Sequence, residues 1–553
     1  MYKLLLLIIF IPSITLNAQS KKKKHKNKLA AEQKINAVLI KNLQQHVQYL
    51  ASDSLEGRRT GTKGEIAAMN YIVKQYTQEG IEPKGTTGYI QEFEINEGKK
   101  VDENSYLKIN NVNLALHKDY FPLATSNNGK FTTSTAAIAL KEISEPWFID
   151  VKEELEANKN NPHFDINVYI KEEATNATKK GALALFFYNS SNITDNIMFN
   201  KNDPSAIEQI PIIYIKKEAI EKYFKDVSAT FKLEYKIAIA PSIRKARNVV
   251  AYINNHAANT IILGAHYDHL GYGEDKNALD ALHEVHNGAD DNASGTAALI
   301  ELAKMLKHSN AKNNNYLFIH FSGEELGLFG SKYWIENPSI NITPNYMINM
   351  DMVGRYDTAH KLTIGGYGTS PVWDNIFTTI SNKNLILKFD SSGSGPSDHA
   401  SFYRANIPVL FFFTGSHSDY HKTTDDWEKI NFTAQKDIIH LIYNIVDATN
   451  NKGKLAFTKT REPKVGKAKF SVSLGVIPDY GYTGTGLRIE GVSPGKLAEK
   501  IGLQAGDVLL QLGEYKFVDV NSYMEALSKF KKGDATKLTI KRGDKEMSFD
   551  IVF

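Results

Sequence analysis

Between residues 244 and 450, short apolar runs of strand length alternate with stretches of helical periodicity. Thr260 to Ala265, Tyr316 to Phe321, Tyr346 to Met350 and Ile407 to Phe413 read as strands, with a helix near Thr296 to Lys307 after the first. Parallel neighbours need a crossover long enough to hold a helix, so this alternation predicts an α/β fold: a largely parallel sheet flanked by helices. Upstream, Ile35, Val38, Leu39, Leu43, Val47 and Leu50 recur at helical spacing, and a second helical stretch runs from about Glu65 to Glu79 before Gly80.

In open α/β sheets ligands gather beyond the carboxyl ends of the strands. His266 and Asp268 follow one predicted strand, Glu324 and Glu325 another, Asp351 a third, and His421 comes just beyond a fourth. Asp290-Asp291-Asn292 adds carboxylates in a glycine-containing turn ahead of a helix. With no cysteine in the chain the donors are oxygen and nitrogen alone, a set that suits Zn²⁺ or another divalent transition metal. Any one of these acidic residues, taken singly, reads as a solvated loop group or a helix cap, and Asp290 reads as a cap. The joint placement argues for a site.

Five segments carry a family resemblance: Gly264-Ala265-His266-Tyr267-Asp268-His269, Gly288-Ala289-Asp290-Asp291-Asn292-Ala293-Ser294-Gly295, Ser322-Gly323-Glu324-Glu325-Leu326-Gly327, Asn349-Met350-Asp351-Met352-Val353-Gly354 and Asp419-Tyr420-His421-Lys422-Thr423-Thr424-Asp425. In this order they closely resemble the M28 family of di-zinc metallopeptidases, and Ser52 to Gly61 resembles the entry to that family's catalytic domain. The resemblance implies two Zn²⁺ per chain, with Asp291 bridging them, His266 and Asp351 completing one site and Glu325 and His421 the other. It also implies a cis Asp291-Asn292 peptide. Asp268 is expected to orient the His266 imidazole, and Glu324 to act as general base on a water shared by the metals and then as acid toward the leaving amine. Tyr420 is expected to donate to the developing oxyanion.

His269, His283, His286, His399 and His417 match no motif position and read as structural or solvent-facing. His283-Glu284-Val285-His286 lacks the HExxH spacing of a zincin and reads as a loop. Gly491-Val492-Ser493-Pro494-Gly495 matches GxSxG, but Pro494 has no N–H to give an oxyanion hole.

Residues 1–18 have the layout of a secretory signal peptide: Lys3, an apolar run from Leu4 to Leu16 interrupted by Pro12, then Asn17-Ala18. The run falls short of the roughly 20 residues a spanning helix needs, so no transmembrane anchor is expected. Residues 19–34 form a basic linker, read as a solvated tail. The net charge of +4 resides there: without Lys3 and the six lysines between 21 and 28, acidic residues outnumber basic ones by three. Nucleic-acid binding by the folded body is not expected.

Residues 35–100 and 244–450 are thus expected to form the catalytic domain, interrupted by a mostly β insert at 101–243. Within the insert, Lys179 to Phe187 and Ile210 to Ile215 resemble a protease-associated domain, which implies a role in shaping substrate access. After a linker at 451–466, residues 467–553 resemble a PDZ domain through Gly502 to Leu509 and a helix over Asn521 to Phe530. Ser473 to Val476 would be its carboxylate-cradling loop for a peptide C-terminus, with Pro478 a departure that removes one edge N–H. The function expected is an exported co-catalytic di-zinc aminopeptidase acting on peptides, in a bacterial periplasm, at the cell surface or outside the cell. Alternatives are a carboxypeptidase or dipeptidase of the same fold, a glutaminyl cyclase, or a non-catalytic peptide-binding scaffold.

Overall fold

The structure is a computed structural model. It describes residues 13–553 apart from 162, 163, 225, 227, 276, 279–281, 358–360, 381–383, 416, 461–471, 479–483, 493, 494, 519 and 528. Residues 1–12 of the expected signal peptide, part of the 451–466 linker and Ser493-Pro494 of the GxSxG match lie outside the described residues. The chain divides into two compact units. One comprises the segments up to Phe93 and from Lys245 through the linker; the other comprises Glu94–Arg244 and the C-terminal segment.

The first unit is built on a nine-stranded sheet. Its central strands are β1 (Ile239–Ile253), β2 (Thr260–His266), β3 (Asn315–Phe321), β4 (Pro344–Met350), β5 (Leu362–Gly365), β6 (Leu387–Phe389) and β7 (Val409–Phe413), in the order β1-β3-β2-β4-β7-β5-β6. β3, β2, β4 and β7 run parallel, while β1 and β5 pair antiparallel at either side of them. Burial on both faces explains why these strands read as unbroken apolar runs. Ile261, Leu263 and Ala265 of β2 pack into one core and Ile262 into another on the opposite face.

Helices α1 (Ser13–Leu50), α2 (Lys63–Gln78), α3 (Gly295–Lys307) and α5 (Phe432–Thr449) supply the larger core, and α4 (Phe329–Glu336) the smaller, through Trp334. α5 starts where Asn431 accepts from the Ala434 N–H and buries Ile438, Ile442 and Ile445 along one stripe. α2 starts at Thr62, whose hydroxyl accepts from the Glu65 N–H, while Glu65 reaches back to the Gly61 N–H at 2.8 Å, a variation on the capping box.

In the second unit, the segment Glu94–Arg244 holds two four-stranded sheets. One is antiparallel, ordered Val112–Asn113, Tyr106–Ile109, Phe231–Ile237, Gly129–Ala136. The other contains three parallel strands, Pro146–Asp150, Ala184–Tyr188 and Ile212–Ile215, with Tyr120–Pro122 antiparallel at its edge. The C-terminal segment forms a six-stranded sheet with a helix at Val520–Leu527 over its own core.

Candidate metal centre

Parallel register brings the strand ends level: His266 of β2 is opposite Phe321 of β3, and Met350 of β4 is opposite Phe412 of β7. Residues just beyond these ends therefore converge on one place. Asp291 arrives from the turn Ala289–Ser294, entered through Gly288 at φ 56°. Asn292 ties that turn to β4, donating to the Met350 carbonyl and accepting from the Gly295 and Met352 N–H groups. The Asp291-Asn292 peptide is cis, as expected.

The two oxygens of Asp291 are divided between two imidazoles. Oδ1 lies 3.2 Å from His266 Nε2 and Oδ2 lies 3.2 Å from His421 Nε2. His266 Nε2 is also 3.3 Å from Asp351 Oδ1, and His421 Nε2 is 3.1 Å from Glu325 Oε2. Two ligands each about 2.0–2.1 Å from a tetrahedral ion sit about 3.3 Å apart. The four nitrogen–oxygen separations match that spacing, so the five residues fit a pair of metal positions sharing Asp291. Two groups of donor atoms close enough to hold an ion are present among the described residues: His266, Asp291 and Asp351, and His269, Asp291 and Glu325.

The electrostatics favour cations. Burial alone would lower the His266 and His421 pKa values, yet the facing carboxylates win: His266 is raised well above its ordinary value, and His421 is pushed up to about 12, Glu325 and Asp291 being the chief cause. Against the same burial penalty the imidazoles hold Asp291 well below the carboxylate range and Glu325 down to about 2. Glu324, whose Oε2 is 3.9 Å from His266 Nε2, is raised well above its ordinary value by burial, against the pull of His266 and with Asp351, Asp398 and Glu325 adding to the rise. Tyr420 stacks on His421 with centroids 3.9 Å apart; burial and the surrounding carboxylates raise its phenol strongly, which keeps it a donor.

Asp268 sits differently from its expected role. His266 Nδ1 is 3.2 Å from the Asp268 backbone oxygen and 3.8 Å from its carboxylate. The carboxylate instead accepts from Thr60 Oγ1 at 2.9 Å and from the Glu324 N–H at 3.2 Å, linking the entry segment to the loop that carries Glu324. Asp290 caps no helix. Its side chain turns inward, accepting from the Gly354 N–H at 2.7 Å and facing His417 Nε2 at 3.2 Å.

Residues 248–446 match the family model of peptidase family M28, and residues 456–552 match that of the PDZ domain. The chain carries an M28 peptidase domain. The aminopeptidase YwaD of Bacillus subtilis is 29% identical over 289 residues, covering 48% of this chain and 56% of that protein. The probable lipoprotein aminopeptidase LpqL of Mycobacterium tuberculosis is 26% identical over 300 residues, with the same coverage. The chain thus spans little more than half the length of these relatives. Among solved structures, an aminopeptidase from Aneurinibacillus sp. strain AM-1 is 22% identical, covers 77% of this chain and 96% of its own, and superposes with a TM-score of 0.40.

Much of what holds the M28 centre together escaped the sequence reading. Arg58, 1% exposed, donates to the carbonyls of Leu50, Tyr267, Asn287 and Gly288, joining the loop after β2 to the turn that carries Asp291. Asp425 Oδ2 accepts from the N–H groups of both Asp290 and Asp291. Ser397 Oγ donates to Asp351 Oδ2 at 2.7 Å and accepts from Asn349. His269 is 2% exposed and places Nδ1 2.7 Å from Glu325 Oε1. Arg58, His269 and Asp425 all lie within quoted motif segments, but their partners, like that of Ser397, lie far along the chain and left no local pattern.

Proposed function

We propose that this protein is an exported aminopeptidase that holds two zinc ions, one through His266 and Asp351 and the other through Glu325 and His421, with Asp291 shared. The division of the Asp291 oxygens between two imidazoles, each with a second carboxylate at 3.1–3.3 Å, carries this reading. The relatives' names support the choice of aminopeptidase. When bound, such a pair of ions supplies Lewis acidity toward a peptide carbonyl and acidifies water.

The remaining steps belong to the chain's own residues. Glu324, raised in pKa and beside His266, takes the proton of the attacking water at Oε2 and returns it to the leaving amine. Tyr420 donates its phenol proton to the oxyanion as a hydrogen bond. Asp268 holds the Glu324 backbone in place and fixes His266 through its carbonyl.

Export rests on the apolar run Leu4 to Leu16; no helix among the described residues is long and apolar enough to cross a membrane. In the PDZ domain, strand Val476–Pro478 pairs with Leu487–Val492 and is the last strand of the sheet among the described residues, which suits capture of a peptide C-terminus there.

Metal analysis tests the reading. The purified chain should bind two zinc ions and lose peptide hydrolysis reversibly on chelation, while His421→Ala should bind one ion fewer. Hydrolysis that survives exhaustive chelation would exclude it.

A further inference from the structure

His269 lies three residues after His266, in the loop beyond the end of β2, yet it addresses the other half of the centre. Its Nδ1 is 2.7 Å from Glu325 Oε1, clearly shorter than the 3.1–3.3 Å between the four ligand pairs. That is the length of a charge-assisted hydrogen bond and too short for two ligands on one tetrahedral ion. Glu325 therefore has two distinct oxygens: Oε1 is taken by His269, and Oε2 is presented beside His421 Nε2 and the shared Asp291.

The ring has little freedom to do anything else. The His269 N–H donates to the Arg58 carbonyl at 3.2 Å. A Cβ on Gly288 would lie 2.4 Å from His269 Cδ2, so the ring fills the space beside the turn that carries Asp291. Nε2 is buried and has no hydrogen-bond partner among the described residues. A buried lone pair without a partner is tolerated better than a buried N–H without one, so the proton belongs on Nδ1, aimed at Glu325.

Resting on the two-metal reading above, we propose that His269 is a positioning residue: by occupying Oε1 it fixes Glu325 to coordinate through Oε2 alone, and so sets the affinity of the Glu325–His421 metal position without touching the His266–Asp351 position. Residues that hold a ligand in this way typically govern about 10–100-fold in metal affinity.

The test is zinc binding by competition with a chromophoric chelator in the full chain, for wild type, His269→Phe and His269→Asn. Phenylalanine keeps the ring's bulk beside Gly288 and removes the donor; asparagine puts an amide nitrogen near the position of Nδ1. Wild type should bind two ions. His269→Phe should keep one at wild-type affinity and bind the other about 10–100-fold more weakly, and His269→Asn should recover most of the loss. Wild-type affinity for both ions in His269→Phe would overturn the proposal, as would equal weakening at both positions or an asparagine variant no better than phenylalanine. Fewer than two ions on the wild-type chain would instead overturn the two-metal reading itself.

Discussion

Glu324 and Glu325 are adjacent in sequence and opposite in electrostatic setting. Glu325 is drawn down to about 2 by His421 and His269 despite its burial, whereas Glu324 is held well above the usual carboxylate range by burial and by its acidic neighbours. Carboxyls whose environments push them apart divide the roles of ligand and proton carrier between them. Glu324→Gln should therefore keep both metals while its turnover falls by at least about 10²–10⁴-fold, measured as kcat with metal content checked alongside. Away from the centre, Glu65 accepts from Ser322, Tyr267 and Gly61, and burial pushes its pKa up to about 7. A carboxyl raised in the folded state contributes stability that is fully present below the unfolded value near 4.5 and is lost as pH rises through about 7. Relative to wild type, Glu65→Gln should gain stability from pH 4.5 to pH 8, by up to about 3 kcal/mol. Urea unfolding at the two pH values would show it; an unchanged difference would mean that Glu65 is ionised in the fold. At this scale His266, Glu325 and Asp351 were legible in the sequence because each stands at or just beyond the end of an apolar strand run, and Asp291 and His421 because each sits in a motif segment. Thr60, Ser397 and His269 were not, because a hydrogen bond between loops 46 to 208 residues apart leaves no local pattern.

The parallel strands of the M28 domain were legible as elements because burial on both faces leaves long apolar runs, and their observed bounds differ from the expected ones by a few residues at most. The insert was harder. One of its strands, Gly129–Ala136, exposes Lys130, Thr132 and Ser134 on an antiparallel sheet and so has no unbroken apolar run. Its helix Ile166–Lys179 was missed; its buried stripe is Ile166, Ile170, Ala174 and Ala177, half of it alanine. That helix connects to the parallel strand Ala184–Tyr188, so this half of the insert is α/β in character. The most constrained element near the site is the turn entered at Gly288. A Cβ there would meet the Asp291 carbonyl at 2.2 Å and the His269 ring at 2.4 Å, and its φ of 56° already disfavours a side chain. Gly288→Ala should displace the Asp291 turn, weakening both metal positions together and lowering stability by about 1–3 kcal/mol, as read by zinc competition and unfolding. Full retention of both ions would show that the turn can relax around the added methyl group.

All five expected ligands, with Glu324 and Tyr420, belong to the unit that ends in the linker, and none comes from the C-terminal PDZ domain. Thr460 still packs back onto the M28 domain, exchanging hydrogen bonds with Tyr403 and Gly393. A chain ending after residue 466 should therefore keep two metals and hydrolyse a short peptide at the wild-type rate, within about twofold, by steady-state assay; loss of metal would show that the PDZ domain supports the centre. The M28 and PDZ domains were readable because each carries its own motif, and the positive charge collects in one lysine cluster while the rest of the sequence is slightly acidic. The measurement that bears most directly on the whole account is mass spectrometry of the products from one mid-length peptide, offered with free, N-acetylated or C-amidated ends to wild-type and chelated protein. Stepwise loss of N-terminal residues from the free and C-amidated forms, none from the N-acetylated form and none after chelation, is the predicted result. Trimming from the C-terminus, or no cleavage by protein carrying two zinc ions, would contradict it.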